Sequence, residues 1–506
     1  MGTSGDADDT AERPRGLSRR SLFKVAGAGA AAPVIASACP VSAASAATPG
    51  TWAHAVGMPR GSDIAVTVSR DAEARFGLLF KKLPAFTPPD DLLTSLAVSM
   101  TDPRGPGQDP SDHDQFDNTD ITAGYTFLGQ FIDHDLTRDT TPMPLQQIDP
   151  RGLKNFDTPM FDLGSVYGLG PTADPQLYDP ARPGYLRVDE HDGLFDLPRA
   201  DDGTAYLGDP RNDENLVIAQ LHVAFLRFHN QLRDEGLSFD QARRITTWHF
   251  QWLLVKEFLP RICGQRVVDA LFALGTKVPW YRPKNTLRPM MPIEFSVAAY
   301  RFGHSMVRPE YEMNDAHTFP IFSVPGDPRD DLRGSRPIAS GQRADWTYFF
   351  DIPGRSRPDG LNFSRLMDTR LAMPLHDLPP TVVPRDITPL FTDLAERNLL
   401  RGKRLGVTSG QDVAKALQQP VLTNAQLGLT DPRWGGKAPL WFYLLKEAEL
   451  TQGGRRLGTT GGLLVAGTLL TLLFLDPTSY VHASPRWTPS TTPFTVGHFL
   501  QRAGVV

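Results

Sequence analysis

The 506-residue sequence predicts a mainly α chain, built as a single large helical domain with long irregular connections. Three observations lead there. Several stretches repeat apolar residues at helical spacing, alternating strand patterns are scarce, and 44 glycines with 45 prolines punctuate the intervals between them. A chain this long can bury a large core. A net charge of −5, with acidic and basic residues mixed throughout, leaves no electrostatic footprint for nucleic acid or an anionic membrane, so neither is expected as a partner.

Taken from the N-terminus, "SRRSLFKVAGAGAAAPVIASACPVSAASAATPG" sets Arg19 and Arg20 before a mild Ala/Gly-rich apolar run and an A-x-A site at Ala44-Ser45-Ala46. Residues 1–46 therefore read as a twin-arginine export signal of the bacterial type, with a periplasmic or extracellular destination. That route carries proteins already folded, which suits a chain whose cofactor is inserted first. Lipid anchoring at Cys39 is not expected, because Ala36 stands where a larger aliphatic residue is usual. With Cys39 in the signal, Cys263 is alone, which excludes a disulfide framework, a zinc cluster and a thiolate-held iron–sulfur centre.

Residues 47–120, rich in Pro, Gly and Asp, read as a loop-rich extension, and 121–506 as the main helical domain, with the fold itself starting near 60. A helix is expected from Ile121 through "AGYTFLGQFIDHDL", with Thr122 as its N-cap. "ENLVIAQLHVAFLRFHNQLRDEG" is a strongly amphipathic helix ended by Gly236, and "FDQARRITTWHFQWLLVKEFL" a second one stopping at Pro260. "PIEFSVAAYRFGHSMV" and "ITPLFTDLAERNLLRGKRLG" are further helices. The apolar run Leu463–Leu475 is too short to span a bilayer and reads as a buried helix.

Three segments carry polar groups that packing does not call for. In the first helix Gln130 and His134 are i,i+4 and share a face, with Asp133 beside them. In "GDPRNDEN", Arg211 and Glu214 are i,i+3 at the start of a long helix. In "AYRFGHSMVRP", Gly303 before His304 would let a flat group approach the backbone closely. Taken singly, each has an ordinary reading as a solvated face, an exposed ion pair or a satisfied core histidine. His222 and His229, i,i+7 on one helix, read as packing, and no HExxH motif is present to suggest a metal hydrolase.

Together, "LGQFIDHDLT", "GDPRNDEN…LHVAFLRFHNQL" and "YRFGHSMVRP", with "TPMFDLGSVYG" between the first two and "DLAERNLLRGKRLG" after the third, resemble the signature segments of the animal-type haem peroxidase superfamily. The resemblance runs from about residue 60 to about residue 500. It implies a helical haem-peroxidase domain holding haem b, with hydrogen peroxide and a small-molecule electron donor as reactants. By the same resemblance His304 is the axial ligand of the haem iron and Asn398 the partner of its second ring nitrogen. His134 and Arg211 are the catalytic pair across the haem, and Gln130 lies near the halide site. Asp133 and Glu214 are the carboxylates that form haem esters. Asp135, Thr158, the carbonyl of Met160 and Asp162 match calcium ligands, although Gly164 stands where relatives have a side-chain oxygen. Asn215 stands where the most oxidising relatives carry a methionine, which makes chloride an unsuitable donor and leaves bromide, iodide, thiocyanate and phenols. A fatty-acid dioxygenase related to cyclooxygenases is the alternative. Such enzymes use a tyrosine three residues before the axial histidine; here that place is Arg301, and Tyr300 lies one further away. A non-catalytic haem-binding surface protein is a second alternative, which the joint presence of His134, Arg211 and His304 opposes. The sequence does not fix the oligomeric state.

Overall fold

The computed structural model describes residues 76–101, 116–138, 159–191, 193–283, 289–323, 331–379, 382 and 392–506. All belong to the compact unit formed by Thr48–Val506, the other unit being Met1–Ala47. The export signal with Arg19, Arg20, Cys39 and Ala44–Ala46 lies outside the described residues, as does Thr158.

Long helices dominate: α1 (Asp90–Ser99), α2 (Gly124–Leu136), α3 (Leu216–Asp234), α4 (Phe239–Leu253), α5 (Gln265–Leu274), α6 (Leu394–Arg404), α7 (Leu440–Gln452), α8 (Thr459–Leu475) and α9 (Val496–Ala503). Among the described residues the strands form only two-stranded pairs. Of the region 47–120, the described residues contribute α1, which packs on α6, and the start of the strand Asp117–Thr122, which pairs antiparallel with Phe363–Arg365.

Thr122 is not the N-cap of α2. It ends the strand, its hydroxyl donates to Phe349 O at 2.5 Å, and α2 starts at Gly124 without a side-chain cap. In contrast α3 ends as its sequence suggests, with Gly236 at φ +90°, and at its start Asn215 accepts from Ile218 N at 2.9 Å. The chain after α4 does not stop at Pro260. A π turn over Leu254–Phe258 widens the helix ahead of the proline, accommodating a ring that a regular α ladder excludes, and a short helix follows to Cys263.

Aromatic side chains lock α2, α3, α4 and α9 together. Phe131 stacks on Phe225 with centroids 4.4 Å apart, Phe225 meets Phe499 at 4.6 Å, Phe499 stacks on Phe228 at 4.4 Å, and Phe250 packs edge-on to Phe131 at 5.8 Å. These rings are all buried. The same core holds α2 rigid while its other face turns to a cavity. α8 is buried, and the carboxylate of Glu447 on α7 caps its start by accepting from Thr460 N and Gly461 N, each at 3.1 Å. Among the described residues no helix is long and apolar enough to cross a membrane.

The helix expected over "PIEFSVAAYRFGHSMV" is two pieces, a short α turn at Ile293–Ser296 and a 3₁₀ run at Ala299–Met306. At the break Ala298 takes φ −134° and ψ −70°, and Ser296 O, which a continuous helix would offer to Tyr300 N, accepts from Arg301 Nε at 2.8 Å. Arg301 O accepts from the indole Nε1 of Trp441 on α7 at 3.0 Å, tying the 3₁₀ run to that helix.

Candidate active site

Helix α2 presents Gln130, Asp133 and His134 to a cavity of about 290 Å³, which is also lined by Glu214, Arg301, Gly303 and His304. The i,i+4 spacing read from the sequence thus becomes one polar face, while Phe131 and Ile132 fix the opposite side of α2 in the core.

His134 is buried, and its Nδ1 lies 2.9 Å from Asn212 Oδ1. With the amide oxygen, which only accepts, facing the ring, His134 carries its proton on Nδ1 and keeps the Nε2 lone pair for the cavity. Glu214 Oε1 is 3.6 Å from that Nε2. Burial, then the nearby Arg211 guanidinium, push the imidazole below its ordinary value against the opposing pull of Glu214, Asp209 and Asp133. A neutral base is the result.

His304 comes from the 3₁₀ run, and its Nδ1 lies 2.7 Å from Asn398 Nδ2 on α6. The two ends of a carboxamide are alike in shape, so the ring tautomer decides which one faces it. A histidine that offers Nε2 to a metal must carry hydrogen on Nδ1, and Asn398 turned by half a rotation gives it the Oδ1 acceptor. Burial, then the charge of Arg301, lower the pKa to about 3, so the ring is neutral. Next to it, a Cβ added to Gly303 would meet nothing within 4 Å. The wall is open there, as a flat ligand lying against the backbone requires.

Asp133 is a buried carboxylate whose burial would raise its pKa, yet Arg301 and Arg211 outweigh that and hold it below the ordinary range. The separations to Asp133 Oδ2 are 3.8 Å from Arg301 and 3.9 Å from Arg211. Thr137 donates to its other oxygen at 2.9 Å. Glu214 is half-exposed at the end of the 3₁₀ turn Pro210–Asp213 and accepts from Gln130 Nε2. Asn215 Nδ2 donates to Gln130 Oε1 at 3.1 Å, fixing which end of that amide faces Glu214.

Arg211 does not line the cavity directly. Its Nη2 donates to Asp209 Oδ2 at 2.7 Å and to the carbonyl of Thr137 at the end of α2, which holds its charge beside Asp133 and His134. Asp135 points away from the cavity. Its oxygens accept from Leu163 N at 3.0 Å and from Ser165 N and Oγ at 3.1 Å, while Asp162 accepts from Gly164 N at 3.0 Å. Among the described residues no group of three or more His, Cys, Asp or Glu side chains is arranged to hold a metal ion. Of the positions expected to hold calcium, Asp135 thus meets the amides of Leu163 and Ser165, Asp162 meets that of Gly164, and Thr158 lies outside the described residues.

Three residues of this site were missed by sequence reasoning. Asp209 anchors Arg211, and its place just before Pro210, as the cap of a turn, was a readable signal. Asn212 joins His134 to His222, whose Nδ1 lies 3.0 Å from Asn212 Nδ2, and nothing local in the sequence marks that contact.

Two imidazoles, two carboxylates and the Arg301 guanidinium thus meet on one cavity framed by long helices. Residues 134–327 match the animal haem peroxidase family. A "Peroxidase-like protein" of Margaritifera margaritifera is 26% identical over 375 residues, covering 68% of this chain and 46% of that protein. In fold the chain is similar to peroxidase A from Dictyostelium discoideum, with TM-score 0.58 and 17% identity over 85% of this chain and 93% of the other. It is also similar to a fatty acid α-dioxygenase from Arabidopsis thaliana, with TM-score 0.53 and 15% identity over 83% of this chain and 74% of the other. At these identities the solved structures establish the fold. The chain spans less than half the length of the curated relative.

Proposed function

We propose that this chain is a peroxidase that reduces hydrogen peroxide and oxidises a small donor, a halide other than chloride, a pseudohalide or a phenol. The observation that carries the reading is His134, neutral and tied at Nδ1, with Nε2 open to the cavity that also receives His304. The family implies haem, and the chain's residues fit it: a half-buried imidazole held from behind by Asn398, and an open wall at Gly303. His304 would be the ligand, and Asp133 and Glu214 the carboxylates that would hold the group by ester bonds. Haem bound there supplies the iron that receives peroxide and accepts its oxidising equivalents.

The chain's own part is proton and charge management. His134 Nε2 takes the proton from the attacking oxygen and returns it to the departing one, which a neutral imidazole with a lowered pKa does well near neutrality. Arg211, fixed by Asp209 beside Asp133 and His134, adds its positive charge from behind the cavity lining, which favours the anion that develops as the O–O bond breaks. Asn215, in the place of the methionine of the most oxidising relatives, is engaged in capping α3 and orienting Gln130. That arrangement supports donors easier to oxidise than chloride.

A dioxygenase reading would need a tyrosine aimed at a bound fatty acid. Tyr300 lines the cavity, but its hydroxyl donates to Gly129 O at 3.2 Å, and Arg301 holds the place three residues before His304. Calcium at Asp135, Thr158, Met160 and Asp162 rests on the resemblance of those segments alone. Export by the twin-arginine route rests on the segment around Arg19 and Arg20, and Arg→Lys at both positions should leave the protein in the cytoplasm of a host with that pathway.

The test is the haem-loaded protein with peroxide and guaiacol or bromide. Peroxide-dependent donor oxidation, and haem that resists acid–acetone extraction, support the proposal with its ester links. Oxygen uptake with linoleate and no peroxide-driven oxidation would overturn it in favour of the dioxygenase.

A further inference from the structure

We propose that Asn212 and His222 are positioning residues that set the proton arrangement of His134 and so keep its Nε2 lone pair on the cavity. The inference rests on the peroxidase reading above. The carboxamide of Asn212 lies between two imidazoles, Oδ1 2.9 Å from His134 Nδ1 and Nδ2 3.0 Å from His222 Nδ1. Its two ends are not interchangeable, because the oxygen only accepts and the nitrogen only donates.

Two arrangements satisfy the chain. In one, His222 Nδ1 offers a lone pair to Nδ2, Oδ1 faces His134, and His134 carries hydrogen on Nδ1 with Nε2 free as a base. In the other the amide is reversed, His134 Nδ1 accepts, and hydrogen moves to Nε2, where the imidazole cannot take a proton from peroxide. In the first arrangement His222 carries its own hydrogen on Nε2, and its Nδ1 is the acceptor that Nδ2 needs.

The surroundings suit that task. Asn212 and His222 are buried and neither lines the cavity, so both act only through His134. The backbone of Asn212 is fixed by its N–H to Asp209 O at 3.1 Å, within the 3₁₀ turn Pro210–Asp213. The ring of His222 is held edge-on to Phe131, centroids 6.1 Å apart, in the aromatic core. Burial keeps His222 neutral, with its pKa near 3, so a lone pair is available on the ring. Three elements, α2, the turn and α3, thus converge on a single proton position.

The experiment uses the haem-loaded protein and two reagents that must each lose a proton to His134: hydrogen peroxide, and hydrogen cyanide, which binds iron as the anion. Asn212→Leu should slow both reactions about 10- to 100-fold, the size of a lost general base or less, with haem content and melting temperature near wild type. Asn212→Asp, which keeps an acceptor for His134 Nδ1–H, should stay within about threefold of wild type. His222→Leu should be slow and His222→Gln, which restores an acceptor, fast; this pair carries the test if leucine at 212 prevents folding. Either leucine variant reacting within about twofold of wild type overturns the proposal. So does equal slowing of leucine and rescue variants with a lowered melting temperature, which is a packing effect. His134→Ala separates the two levels: if it too reacts like wild type, the peroxidase reading has failed, whereas a slow His134→Ala with a fast Asn212→Leu removes the relay alone.

Discussion

Asn398 on α6 stands 2.7 Å from Nδ1 of His304, ninety-four positions earlier in the chain, and no other polar group engages that ring nitrogen among the described residues. This pair sets how the imidazole meets a metal. A neutral amide partner orients the ring without giving it the anionic character that a carboxylate partner would.

Replacing Asn398 with Leu should therefore weaken haem binding about 10- to 100-fold while leaving the fold intact, since the residue lies at the edge of the cavity's supporting shell. Replacing it with Asp should keep haem and move the iron's reduction potential to a more negative value. Haem titration followed in the visible spectrum checks the first, and a spectroelectrochemical titration the second. Unchanged affinity in Asn398→Leu would remove this residue from the site.

The aromatic stack makes a separate claim about stability. Phe225 touches Phe131, Phe250 and Phe499 at once and is fully buried, so Phe225→Ala removes contacts to α2, α4 and α9 together. The expected loss is about 3–5 kcal/mol, read by denaturant unfolding. Because α2 carries His134, the same variant should also slow the peroxide reaction even where it remains folded.

Buried neutral histidines give a stability that depends on pH. His229 is buried between Tyr167 and the carbonyl of Gly184, and burial lowers its pKa to about 4, as it does for His249. Below the unfolded value of 6.5 the unfolded chain binds a proton that the folded chain refuses, so stability falls as pH drops from 6.5 towards 4. Each such group contributes a slope of up to about 1.4 kcal/mol per pH unit in that window. Buried carboxyls act the other way, Asp368 with its pKa raised by burial to about 6 among them. The contribution is best read as a difference: His229→Gln should flatten the slope of unfolding free energy between pH 6.5 and 4 relative to wild type. An identical slope would mean that the ring is already protonated in the folded protein.

What the sequence made legible follows from the range of the forces involved. His134, Gln130 and Asp133 could be placed on one face because helical spacing is a local property. The ending of α3 at Gly236 was local too. Thr122 as an N-cap failed because its hydroxyl is taken by the carbonyl of Phe349, a partner far along the chain. The helix carrying His304 broke where the Arg301 side chain folds back onto Ser296 O, a tertiary choice that helical periodicity does not display. His222 was read as packing since its helix is apolar around it, and its bond to Asn212 exists only once α2 and α3 are stacked. The clasp of Asp209 on Arg211 lay between these cases, written in the turn at Pro210 but silent about the carbonyls of α2 that complete it.

The central claim is that His134 moves the proton in a reaction at haem held by His304. Its most direct test is the stopped-flow rate of the haem-loaded protein with hydrogen peroxide, wild type against His134→Ala, with haem content measured on both. We expect equal haem content and a rate lower by about 10²- to 10⁴-fold in the variant. Equal rates in the two proteins would contradict the account.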